Sequence, residues 1–209
     1  TTTVTAGTGY SINIPVAKVE LKNNLVADIQ NSHLHADQLD IHAGLNGLSE
    51  LNIKQGNVGA LAFGAGFATI NDKAKATLQL SDNHTIGTNH QINVEDKSHN
   101  KVTLNALTAG VTGLASLTGK IKDDSALHLN LTKNNQIDHN YFNARINNDT
   151  NDHVQTQAGS FGALQGVGST AEIENNASSA LSVGSNNQLN NLSANLDINH
   201  ITHQKTNID

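Results

Sequence analysis

Eleven histidines in a chain of 209 residues make metal binding the first chemistry to weigh. His33 and His35, two positions apart, would project from one side of a strand. His42 follows closely, and His200 and His203 form a second pair. Imidazoles suit zinc or copper, but such a site needs three or four convergent ligands. No histidine column recurs along the chain, so the expectation is solvated histidines and no metal site. The run Asn147-Asn148-Asp149-Thr150-Asn151-Asp152 offers oxygens of the kind Ca2+ prefers. Neither an EF-hand loop nor the Gly-Gly calcium-binding nonapeptide accompanies it, and it reads as a solvated loop. Acid–base cleavage of sugars would need a convergent carboxylate pair. The candidates are Asp123 with Asp124 and Glu95 with Asp96. Adjacent residues of a strand face opposite ways, and convergence between windings would need a column of acids, which is not expected. G-x-S-x-G and P-loop motifs are absent. The expectation is therefore no catalytic residue, no cofactor and no enzyme. Five N-x-[ST] sequons, at Asn83, Asn130, Asn148, Asn176 and Asn191, match what 30 Asn, 19 Thr and 14 Ser give by composition alone.

The elements that carry these groups must be built from small and aliphatic residues. The chain has no Cys, Met or Trp, one Pro, 3% aromatic residues and 17 Gly. Zero Cys excludes disulfides and thiolate metal sites. A net charge of −6 with only 14% charged residues gives no basic stripe for nucleic acid. No apolar run approaches a membrane helix, which needs ~20 residues. The chain opens without the basic stretch of a signal peptide and reads as an excerpt of a longer polypeptide.

Self-similarity appears at a lag near 51. Ile70, Ile121 and Ile173 correspond, as do Leu78, Leu129 and Leu181, and Leu80, Leu131 and Val183. Asn83, Asn134 and Asn186 form a further column, as do Ile86, Ile137 and Leu189. Gly59, Gly110 and Gly162 open the copies. These columns divide the chain into repeats of about 8–58, 59–109, 110–161 and 162–209, within one domain spanning 1–209. Inside a copy the period is two, as in Ala76-Leu78-Leu80 and Val102-Leu104, which is the signature of strands. The strands lie too close together for helical crossovers. Repeats that stack equivalent positions into ladders of like side chains point to a parallel β-solenoid. The apolar pairs recur at about half the period (Leu78/Leu80, then Val102/Leu104), predicting two coils per repeat. Eight coils at ~4.8 Å would make a rod of about 40 Å. Asn suits the corners, because it tolerates left-handed backbone and can bond from coil to coil as a stacked ladder. The glycine-rich segments, such as Gly59 to Gly66, predict a face where the core is thin.

A Gly/Ala-rich segment, then Ala68-Thr69-Ile70-Asn71-Asp72, then the alternating Ala74-Lys75-Ala76-Thr77-Leu78-Gln79-Leu80 resembles the repeats of filamentous-haemagglutinin-type adhesins, including leukotoxin-type filamentous adhesins. Ala171-Glu172-Ile173-Glu174-Asn175-Asn176 with Ala180-Leu181-Ser182-Val183 carries the likeness again. The resemblance covers about residues 10–209. It implies an all-β, right-handed parallel β-helix, secreted to the cell surface of a Gram-negative bacterium. The expected role is a structural stalk or fibre segment for attachment or biofilm formation. The expected partners are a protein or glycan on a host or neighbouring cell, with end-to-end or lateral self-association. The alternative is a carbohydrate-binding or carbohydrate-cleaving β-helix of the tailspike or lyase kind.

Overall fold

The computed structural model describes residues 2–6 and 9–209, the side chains of 2–6 apart. The described residues are all-β. Every strand pairing is parallel, and the strands form three sheets. Thr2–Ala6 (β1) precedes four windings. The first contains Tyr10–Asn13 (β2), Val16–Leu21 (β3), Asn24–Gln30 (β4), His33–His35 (β5) and Gln38–Val58 (β6). The second contains Leu61–Asp72 (β7), Lys75–Ser81 (β8) and His84–Ala109 (β9). The third contains Thr112–Asp123 (β10), Ala126–Leu131 (β11) and Gln136–Phe161 (β12). The fourth contains Leu164–Asn175 (β13), Ser178–Val183 (β14), Gln188–Leu189 (β15) and Ser193–Ile208 (β16).

The register fixes the winding length. Val19 pairs with Ile70, Ile70 with Ile121, and Ile121 with Ile173, so neighbours lie 51 or 52 residues apart on every face. Each repeat is thus one winding, which corrects the expectation of two coils. Four windings at ~4.8 Å give a height of roughly 20 Å, half the expected 40 Å. The half-period in the sequence has a different cause. Leu78 and Val102 do not stack; Leu78 belongs to the cluster that faces Ile92 and Val94, and Val102 to the one that faces Ile70, so the similarity records two apolar runs in different parts of one winding.

The long sheet (β6, β9, β12, β16) forms one side of the rod, and the β7- and β8-type strands form the other. Two apolar clusters fill the space between. One joins Leu78, Leu80, Leu127, Leu129 and Leu131 to Ile92, Val94, Phe142 and Ile146. The other joins Ile70, Leu117 and Ile121 to Ile53, Val102, Leu104 and Val154. Burial alternates residue by residue from His90 to Thr108 in β9 and from Phe142 to Thr156 in β12, after a phase slip near the start of each strand. In the glycine-rich segment a Cβ on Gly64 would stand 2.6 Å from Asn57 Nδ2, and one on Gly66 3.5 Å from Leu104 Cδ2, so the core is thin there as expected. A Cβ on Gly119 would stand 2.8 Å from both Leu104 Cδ1 and Val154 Cγ1 of the facing sheet. At the corner before each β7-type strand, a Cβ on Gly110 would lie 1.9 Å from the Gly59 carbonyl, and one on Gly162 2.0 Å from that of Gly110. Only glycine permits that stacking.

Candidate functional site: a polar seam inside the rod

Of the residues singled out in the sequence, the structure stacks Ile70, Ile121 and Ile173 in one column. Leu78, Leu129 and Leu181 form a second, and Leu80, Leu131 and Val183 a third. The asparagine column is corrected by one position. Lys133 is an extra residue at the third corner, which shifts the lag from 51 to 52 there. The outer, left-handed column is therefore Asn31, Asp82, Asn134 and Asn186, with φ between 51° and 58°. Asn83 stacks instead on Asn135 and Asn187, inside the corner. The Asn83 amide donates to the Ile29 carbonyl (2.8 Å) and to Asn135 Oδ1 (3.2 Å). Asn135 repeats the pattern onto Leu80 O (2.9 Å) and Asn187 Oδ1 (2.8 Å). Each amide satisfies the next, which is why a buried column of like polar groups is tolerated. The same shift moves Ile86 out of its expected column. Thr85 pairs with Ile137, which pairs in turn with Leu189, and Ile86 lies outside, opposite Asp138.

Two expectations about acids are overturned. The segment from Asn147 to Asp152 is not a solvated loop but part of β12, with Asn148, Thr150 and Asp152 fully buried. A column of acids also exists. Asp72 pairs with Asp123, and Asn175 continues the column. Their spacing of 51, two positions after Ile70 and Ile121, was the available signal. One oxygen of each closes the corner turn: Asp72 Oδ1 accepts from Ala74 N–H (3.0 Å), and Asp123 Oδ1 from Ser125 N–H (2.9 Å). Across the interior, β9 presents Asp96, Ser98 and Asn100, and β12 stacks Asn148, Thr150 and Asp152 on them. These residues lie between Val94 of one apolar cluster and Val102 of the other, forming a polar seam along the rod.

The seam crosses from wall to wall through Asn100, whose amide donates to Asp72 Oδ2 (3.3 Å) and Asp152 Oδ1 (3.1 Å). Asp72, Asp96, Asp123 and Asp152 are each at most 1% exposed. Burial, with the charges of Asp72 and Asp123 adding, pushes the Asp96 carboxyl up to about 7. Burial likewise pushes Asp152 up to about 6 against the opposing Asn100 bond. Asp123 is raised by burial, moderated by the Ser125 N–H. Asp96 Oδ2, Asp152 Oδ2, Asn100 Oδ1 and both amide atoms of Asn148 make no hydrogen bond within the protein.

A second polar spot lies at the other end of the Leu78–Leu129 cluster. His90 and His139 sit 4.9 Å apart between ring centroids, with Phe142 edge-on to His90 at 5.5 Å. Both imidazoles are buried. Burial, helped by the neighbouring His139 and opposed by Asp40, drives His90 down to about 4. His139 is lowered by burial.

The other histidines lie elsewhere. His33 meets the His84 ring at 5.8 Å, and His84 Nε2 lies 3.1 Å from Asp138 Oδ2. His42 bonds to Asn93. His200 continues the Asp96–Asn148 column, whereas His203, three positions on, continues the outward column of His99 and Asn151. Among the described residues no three His, Asp or Glu side chains converge as ligands for a metal ion. Glu95 and Asp124 face outward beside the buried Asp96 and Asp123, so neither adjacent pair converges. Asn83 and Asn148 of the sequons are buried. On the outer surface, Ile12, Ile14, Phe63 and Leu114 line an apolar hollow of about 270 Å3. No known protein family, curated protein or solved structure matches the chain.

Proposed function

We propose that the chain is a stalk or fibre segment of a secreted adhesin of the filamentous-haemagglutinin type, on the surface of a Gram-negative bacterium. The observation that supports it best is the constant register. Windings of 51 or 52 residues stack strand on strand through all three sheets, a design that lengthens by adding repeats and sets distance along an axis. In this reading the rod is right-handed, and its partners are a protein or glycan receptor on a host or neighbouring cell. Lateral association would use the apolar strip of Tyr10, Ile12, Ile14 and Val16, all more than half exposed. The role is structural: burial inside the rod keeps Asp96 and Asp123 away from any glycan. Antibodies raised against residues 9–209 should label intact, unpermeabilised cells of the source organism, and their Fab fragments should reduce attachment to a host-cell layer. Labelling that requires cell lysis would end this reading.

A further inference from the structure

The seam confines four carboxylates in the rod's interior. Asp72 and Asp123 come from one wall, Asp96 and Asp152 from the other. The groups around them offer little countercharge. The first winding places Leu21, Leu45 and Ser49 over the acid columns, and the fourth adds Asn175, Gln204 and the imidazole of His200. No Lys or Arg stands in these columns. Ionising all four carboxylates would put like charges side by side in a poorly solvated interior, and a carboxyl so placed takes up a proton instead. The unpartnered atoms fit that state. A protonated Asp96 or Asp152 gains an O–H donor, and the buried acceptors Asn148 Oδ1 and Asn100 Oδ1, both unused within the protein, lie in the same two columns.

We propose that the seam is a proton-linked clasp: the rod takes up protons as it folds, held on Asp96 and Asp152, and it grips more firmly in mild acid than in mild base. The sign follows from the direction of the shift. Between the ordinary value of 3.8 and about 7, folded Asp96 keeps a proton that the unfolded chain has released, so its contribution to stability falls as pH rises through that window. Asp152 acts in the same sense up to about 6.

The test is urea unfolding of the 209-residue chain and of its D96N/D152N variant, followed by circular dichroism from about pH 4 to about pH 8. Each carboxyl held protonated should raise the wild-type unfolding constant, relative to the variant, by up to about tenfold per pH unit across its window. A ratio that stays flat or falls overturns the proposal. Should the variant fail to fold, infrared spectra of the wild type decide. A protonated-carboxyl band at about pH 6 that vanishes on unfolding supports the clasp, and a folded protein without that band rules it out.

Discussion

The aspartate seam and the histidine corner both interrupt the apolar interior, at opposite ends of the Leu78–Leu129 cluster, and both consist of ionisable groups buried on two windings. Burial favours the neutral form in each. For Asp96 the neutral form carries the proton, and for His90 it lacks one. The seam therefore loses stability as pH rises from 3.8 towards about 7, and the corner loses it as pH falls from 6.5 towards about 4. The two windows overlap, so the whole rod should respond to pH less than either part. The Asn83–Asn135–Asn187 ladder completes the comparison: Asn83 and Asn135 are equally buried, and the ladder never titrates and satisfies itself from winding to winding. Stacking repeats a side chain upon itself, which suits a self-complementary amide and penalises a charge. In the seam, Asp96 lies on Asn148, Asn100 on Asp152 and Asp123 on Asn175, leaving Asp72 on Asp123 as the seam's one direct stack of acid on acid.

Converting the ladder into a seam should give the largest effect. In Asn135→Asp, the oxygen replacing Nδ2 would face two acceptors, Leu80 O and Asn187 Oδ1. An uncompensated charge buried there should cost about 3–5 kcal/mol at neutral pH. Much of the loss should return at about pH 4, where the carboxyl carries a proton and can donate again. Denaturant midpoints at the two pH values check this. Equal losses at both would mean that shape, not charge, governs the ladder.

Removing the other arm comes next. His90→Leu deletes a group whose shift from 6.5 to about 4 corresponds to roughly 3 kcal/mol at about 1.4 kcal/mol per unit. Wild type and variant should diverge below about pH 6, with the variant losing less stability in acid. With the opposing term gone, the downward slope of the seam with rising pH should stand out. A wild type and variant that track each other to pH 4 would show that the corner admits water or protons freely.

Much of the fold was legible because stacking writes itself into the sequence as a lag. Ile70, Ile121 and Ile173 needed only counting, and the alternation Ala76-Leu78-Leu80 gave strands directly. Winding number was harder. Two apolar runs within one winding and two stacked coils produce the same half-period, and only pairing partners separate them. A single inserted residue, Lys133, displaced the asparagine column, because similarity between Asn134 and Asn135 hides a shift of one. The seam was missed for a chemical reason. Asp and Asn at Asn147 to Asp152 read as solvated, since burying them is costly in an ordinary core. Burial is tolerated at Asn83, Asn135 and Asn100 because their amides meet acceptors on a neighbouring winding or the facing wall, information that a single segment does not carry.

The bridge within the seam should matter less than the charges it joins. Asn100→Ala removes the donor shared by Asp72 and Asp152. Hydrogen bonds to charged acceptors contribute about 1.5–3 kcal/mol, so a loss of about 2 kcal/mol is expected at about pH 8. It should shrink below about pH 6 as Asp152 takes up a proton. A loss that grows in acid would mean that the bond from a protonated Asp152 to Asn100 Oδ1 outweighs the bonds the amide donates.

The smallest effect belongs on the outer face of the same windings, where charge has water. Lys120 lies 2.8 Å from Glu172 and 3.2 Å from Glu174, and Lys122 reaches Glu174 at 3.1 Å. These pairs stack across the same strands, β10 and β13, that bring Asp123 and Asn175 into the seam. By distance alone they look stronger than anything in the interior. Solvent screening and the freedom of long side chains cancel most of that attraction. Lys120→Ala should leave the denaturant midpoint unchanged within error, and added salt should not alter the result. A clear loss at low salt would mean that the rod draws part of its cohesion from its outer ladders, and that the contrast between seam and surface is one of degree.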